Sequence, residues 1–214
     1  MSKFLLVTVI FGLWLNVAAY SQQPPPPNPL YNRSWAPTLK RVPTDGLLMG
    51  RRKVLFGTTP LREVSTEAGR VPIQHQGDAG ESIYWVCFDF QPLQRRQRIW
   101  LISDGEMGGT EHRVTAIAAQ FTDANSGGTD CPELPEPLTP LSIAQTLWLG
   151  IPEADVSKIL GVPSHTGETW TSYDYAGKRK GTCLPDGFDV TSWFAFKKQE
   201  GRVVGIYAGQ IVSC

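Results

Sequence analysis

The feature that most constrains this chain is an internal repeat. Phe56–Gly69 (FGTTPLREVSTEAG) and Leu149–Gly161 (LGIPEADVSKILG) share one plan. Each begins with an apolar residue and glycine, then a proline (Pro60, Pro152). An acidic-Val-Ser triplet follows (Glu63-Val64-Ser65, Asp155-Val156-Ser157), and a glycine stands five residues after the valine. A recurrence of this kind marks a supersecondary unit used twice. Proline suits the first helical position, where no intrahelical donor is needed, and Thr59 is placed to cap the first helix. Leu61, Val64 and Ala68 then share one face, as do Val156, Ile159 and Leu160. Gly69 and Gly161 suit left-handed stops. Thr139-Pro140 reads as the start of another helical turn through Ile143 and Ala144.

Strand patterns follow each helix: 82–90, 98–103 and 114–121 after the first, 169–176, 189–198 and 203–212 after the second. The last two of each set read as a hairpin, turning at Asp104-Gly105 with Gly108-Gly109, and at Gln199-Glu200-Gly201. The content of 21 glycines and 17 prolines also favours turns and strands over long helices. The expected fold class is therefore α+β. It would comprise two tandem repeats, 45–135 and 136–214, each a short helical segment packed on an antiparallel three- to four-stranded sheet.

The chain opens on a secretory-type leader, residues 1–21. Lys3 is followed by the apolar run Phe4–Leu15, and Val17-Ala18-Ala19 and Ala19-Tyr20-Ser21 offer two cleavage sites. The run is short for a membrane span of ~20 residues. The expected location is periplasmic or secreted, without stable membrane insertion after cleavage. Residues 22–44 begin QQPPPPNP and read as a proline-rich extended linker with no core of its own. The balance of 20 basic and 20 acidic side chains argues against nucleic acid as a partner, which needs a basic stripe.

Four cysteines, Cys87, Cys131, Cys183 and Cys214, suggest two disulfides in an exported chain. Spacing alone leaves three pairings open. The repeat favours one bridge per copy, Cys87–Cys131 and Cys183–Cys214, closing loops of about 45 and about 32 residues, each contributing roughly 3–4 kcal/mol. No Cys-x-x-Cys occurs and the three histidines, His75, His112 and His165, are scattered, so neither a metal nor another cofactor is expected.

The segment Leu149–Pro163 (LGIPEADVSKILGVP) resembles the start of the SmpA/OmlA (BamE-like) domain. A tandem of two such units is similar to the beta-lactamase-inhibitor-protein fold. Copy one departs from the motif, with Ala68-Gly69-Arg70-Val71 where Leu-Gly-x-Pro would stand. The resemblance implies an exported bacterial protein that works by contacting another protein and brings no catalytic residues. It would be an inhibitor or protective factor acting on an extracytoplasmic protein, or an envelope-assembly accessory.

The aromatic residues supply the binding candidates. Strand alternation puts Tyr84, Val86, Phe88 and Phe90 on one apolar face and Trp85 on the other. Ile99 and Leu101 as core send Trp100 outward. Val190, Phe194 and Phe196 as core do the same for Trp193. Trp85, Trp100 and Trp193 thus fall on the face opposite the helices, where tryptophan suits a partner surface. The competing class is a secreted hydrolase using the Asp104/Glu106 carboxylates or His165, which follows Ser164. No nucleophile-elbow or phosphate-loop spacing supports it, so no catalytic residue is assigned and the chain is read as non-enzymatic.

Overall fold

A computed structural model describes residues 23–28, 36–78, 81–92, 95–104, 111–122, 131–144, 146–180 and 187–213. Hairpin β1 (Gly46–Met49) and β2 (Arg52–Leu55) precedes helix α1 (Leu61–Glu67). Then come β3 (Gln74–Gln76), β4 (Ile83–Phe90), β5 (Gln97–Asp104) and β6 (Ala116–Phe121). A 3-10 turn at Glu136–Leu138 leads to β7 (Leu141–Ile143) and helix α2 (Glu153–Leu160). The chain ends in β8 (His165–Thr166), β9 (Trp170–Arg179), β10 (Phe188–Gln199) and β11 (Arg202–Ser213).

Among the described residues the strands make two antiparallel sheets. The smaller runs β2-β1-β7 and the larger β3-β4-β5-β6-β11-β10-β9-β8. This overturns the expected architecture of two separate α+β units. The protein is mostly β, and strands from both copies form one eight-stranded sheet. Its middle is the β6–β11 ladder, from Gly205↔Gln120 to Gly209↔Ala116. The repeat survives as the two short helices α1 and α2 and as the mirrored strand order about that ladder. Left apart, each half would expose β6 or β11 as a bare edge, and each would have little core of its own. The halves also interlock in the small sheet, where Leu47 of β1 pairs with Ile143 of β7. One hydrophobic core contains Phe88, Ile99 and Leu101 together with Tyr173, Phe194 and Phe196.

Both helices are short and owe their stability to one buried face. Leu61 and Val64 of α1 and Val156 of α2 are fully buried. Thr59 does not cap α1. The cap position falls on Pro60, and the Thr59 hydroxyl accepts the Leu55 N–H at 2.9 Å. Ile159 is not core: it is 36% exposed, because two turns of helix present only Val156 squarely to the sheet. Tyr173 secures α2 instead, its hydroxyl lying 3.1 Å from Ser157 Oγ. In place of the expected helical turn through Ile143 and Ala144, Leu141–Ile143 is strand β7, whose pairing with β1 outweighs local preference, and Ala144 turns away from it at positive φ. The β1–β2 hairpin escaped the sequence reading, although GLLM and RKVL flank the tight turn Gly50-Arg51.

Residues 22–44 do not behave as a spacer where they are described. Gln23 and Thr44 are buried. Thr38 and Leu39 both donate their N–H groups to Asp174 O, at 3.1 and 3.0 Å.

Candidate functional site

The larger sheet has a second apolar face, turned away from the helices. There Trp85, Cys87, Trp100, Ile102, Ala116, Ala118, Cys131, Trp193 and Tyr207 form a separate cluster, flanked by Ile83 and Trp170. Ladder register assembles it in two adjacent rows. In one, Trp85 stands opposite Ile102, and Gly209 lies between Ala116 and Trp193. In the other, Cys87, Trp100, Ala118 and Tyr207 are neighbours. Small residues at the centre let the aromatic rings lie down. A Cβ on Gly209 would stand 2.5 Å from Trp193 Cζ2. Trp193 and Tyr207 stack with centroids 6.0 Å apart.

All three tryptophans chosen from the sequence meet on this face. None is an open surface, however: Trp85, Trp100 and Trp193 are 1%, 2% and 8% exposed. The N-terminal segment lies over part of the face. Trp100 Nε1 donates to Pro24 O at 2.9 Å, and the Cys87 N–H donates to Gln23 Oε1 at 3.0 Å. Pairing with β3 stops at Trp85, so Gln23 takes over the outer edge of β4. Beyond it the Asp89 N–H donates to Pro132 O at 2.9 Å and the Leu134 N–H to Asp89 O at 2.7 Å. The Cys87–Cys131 disulfide fastens this second segment. Cys183, Cys214 and Glu106 lie outside the described residues.

Charge on this side of β4 is concentrated at Asp89, which is 1% exposed. Its carboxylate accepts two bonds from Arg98 at 2.6 and 2.9 Å and one from Arg96 at 3.3 Å. A buried carboxylate needs such partners to offset its desolvation. The Tyr207 phenol is raised well above its ordinary range, first by burial and then by the nearby Asp104 charge. Burial also raises Tyr173.

The hydrolase candidates do not converge among the described residues. Asp104 ends β5 beside a cavity of about 630 Å³ that it shares with Arg113, Arg179 and Lys180. Its N–H donates to Thr115 Oγ1 at 2.9 Å. Ser164 Oγ lies 2.7 Å from Thr38 Oγ1 and accepts the Asp174 N–H at 2.8 Å, so it engages neighbours other than His165. His165 sits exposed in the two-residue strand β8. His75 and His112 sandwich Tyr84, with centroids at 4.4 and 3.6 Å. No group of three or more metal-ligating side chains occurs among the described residues. No described helix is long and apolar enough to cross a membrane.

Sequence reasoning missed Gln23, Pro24 and Tyr207. Alternation with the core residues Ile206 and Ala208 was enough to place Tyr207 on this face, but a bulge between β10 and β11 puts Val203 out of step with them. Lys197 pairs with Gly205 but Lys198 with Val203, and this slip moves Val203 to the core face occupied by Ile206 and Ala208. Gln23 and Pro24 have no local pattern, because their partners are more than sixty residues away.

The geometry defines a mostly-β protein whose larger, eight-stranded antiparallel sheet carries a strapped aromatic face. No family model, curated protein or solved structure matches the chain.

Proposed function

We propose that this is an exported, non-enzymatic protein that binds another protein through the tryptophan face of its larger sheet. The observation that carries the reading is the aromatic cluster itself. A sheet needs one apolar face to build a core, and this one has two. The second concentrates Trp85, Trp100, Trp193 and Tyr207, with Trp170 half-buried at its margin. Tryptophan and tyrosine dominate binding energy because they offer large apolar area with a polar handle. The Cys87–Cys131 bridge supports an oxidising compartment, which agrees with the secretory-type leader.

Photo-crosslinking tests the reading. A benzophenone side chain replaces Trp170 at the margin of the face, or Val162, which is 81% exposed beyond α2. Both variants are expressed in the source organism. The expectation is a discrete adduct with another polypeptide from position 170 and none from 162. Equal labelling from both positions, or none from 170, contradicts it. So does a hydrolytic activity of the purified protein that disappears in Asp104→Asn or His165→Ala.

A further inference from the structure

The N-terminal segment occupies the tryptophan face in the manner of a ligand. Gln23 inserts its side chain fully, at 3% exposure, and caps the Cys87 N–H on the open edge of β4. Pro24 presents its carbonyl to the Trp100 indole. Pro25 is exposed, and Pro26 and Pro27 are only half-buried. Such a run is pre-extended, makes no internal hydrogen bonds and offers its carbonyls outward. Aromatic faces bearing an indole donor recognise this conformation because little ordering entropy remains to be lost. A second donor lies in the same cluster. Trp85 Nε1 is buried and has no hydrogen-bond partner among the described residues. A buried N–H without an acceptor is costly, and a carbonyl from a bound chain would satisfy it. The present occupant thus serves one indole of the cluster through Pro24 and leaves that of Trp85 unserved.

We propose that the tryptophan face is a recognition site for an extended proline-rich segment of a partner polypeptide, held closed in cis by the protein's own Gln23–Asn28. The inference rests on the reading of this face as a protein-binding surface, and it adds the chemistry of the partner and a competitor within the chain. A tethered occupant acts at an effective concentration set by its linker, in the millimolar range for short flexible ones. A partner must therefore outcompete it, or bind when it has been displaced.

The test uses the full chain with Q23A, P24G, P25G, P26G and P27G combined, which keeps length but removes the inserted amide and the extended preference. The probe is the synthetic octapeptide Gln-Gln-Pro-Pro-Pro-Pro-Asn-Pro, with a version whose prolines are all glycine as control. Binding is followed by calorimetry and by the indole N–H resonances of Trp85 and Trp100, which needs no tryptophan substitution. Expected are saturable binding to the substituted chain, at least tenfold weaker binding to the unaltered chain, none of the control, and shifts of both indole resonances. Three results overturn the proposal: a folded substituted chain with no peptide binding, equal affinity in both chains, or a substituted chain that loses its near-ultraviolet circular dichroism. The last would make Gln23–Asn28 a fixed part of the fold. A photo-adduct from position 170 combined with no peptide binding would discard this proposal alone, leaving the face a surface for a partner of other chemistry.

Discussion

Replacing Gly209 with alanine probes how closely the middle of the sheet is packed. The added Cβ would stand 2.5 Å from Trp193 Cζ2, 2.8 Å from Thr115 O and 2.9 Å from Ala116 Cβ. Thr115 O is backbone and Ala116 Cβ is fixed to it, so only the Trp193 ring can swing away. Overpacking of a filled site costs about 1–3 kcal/mol. Alanine recovers about 0.4–1 kcal/mol by restricting the unfolded chain. The net loss is then about 1–2 kcal/mol, or a fall in Tm of about 3–6 °C for a protein of this size. Gly205 on the same strand is the control. Its nearest contact would be Lys197 Cβ at 3.3 Å, the far side is ordinary van der Waals distance, and no strained φ is involved. Gly205→Ala should fall within about 0.5 kcal/mol of the parent protein. Urea unfolding followed by circular dichroism measures both. Combining Gly209→Ala with Trp193→Leu removes the worst contact but leaves Thr115 O, so the two changes should couple favourably by about 1 kcal/mol. A Gly209→Ala protein as stable as its parent, or an equal loss at Gly205, refutes the packing argument.

Arg98→Met should cost about 3 kcal/mol, since it strips a buried Asp89 of its bidentate partner. Arg96→Met should cost less than about 1 kcal/mol because Arg96 is 40% exposed; equal losses in urea titrations would contradict the ranking. Removing the Cys87–Cys131 bridge, whose cysteines are 44 residues apart, as the double alanine variant should cost about 4 kcal/mol. An unchanged Tm would show that the bridge adds nothing. Tyr207 gives an alkaline signature. Its phenol is raised above the ordinary 10.0 in the folded protein, so the folded state holds the proton longer than the unfolded chain. That contribution is complete below about pH 10 and is lost as pH rises through the alkaline range toward the folded value. Tyr207→Phe should flatten this alkaline loss in a pH series of denaturation midpoints, and identical slopes in both proteins would refute it.

Local chemistry was enough to locate both helices, six of the strands and the two sides of the sheet. Pro60 and Pro152 open the helices, and Gly69 and Gly161 close them with positive φ. Alternation alone separated Phe88, Leu101 and Phe194 from Trp85, Trp100 and Trp193, because side chains of an extended strand have no choice but to point to opposite faces. The pairing of β6 with β11, the covering of the tryptophans and the seating of Gln23 were not legible. Each depends on which bare backbone edge meets which, and a chain can relieve an open edge with any segment that reaches it. Two copies of one motif predict two units as readily as one. Only the assembled sheet decides, since joining the edges at Ala116–Gln120 and Gly205–Gly209 satisfies hydrogen bonds that separate units would have left to solvent.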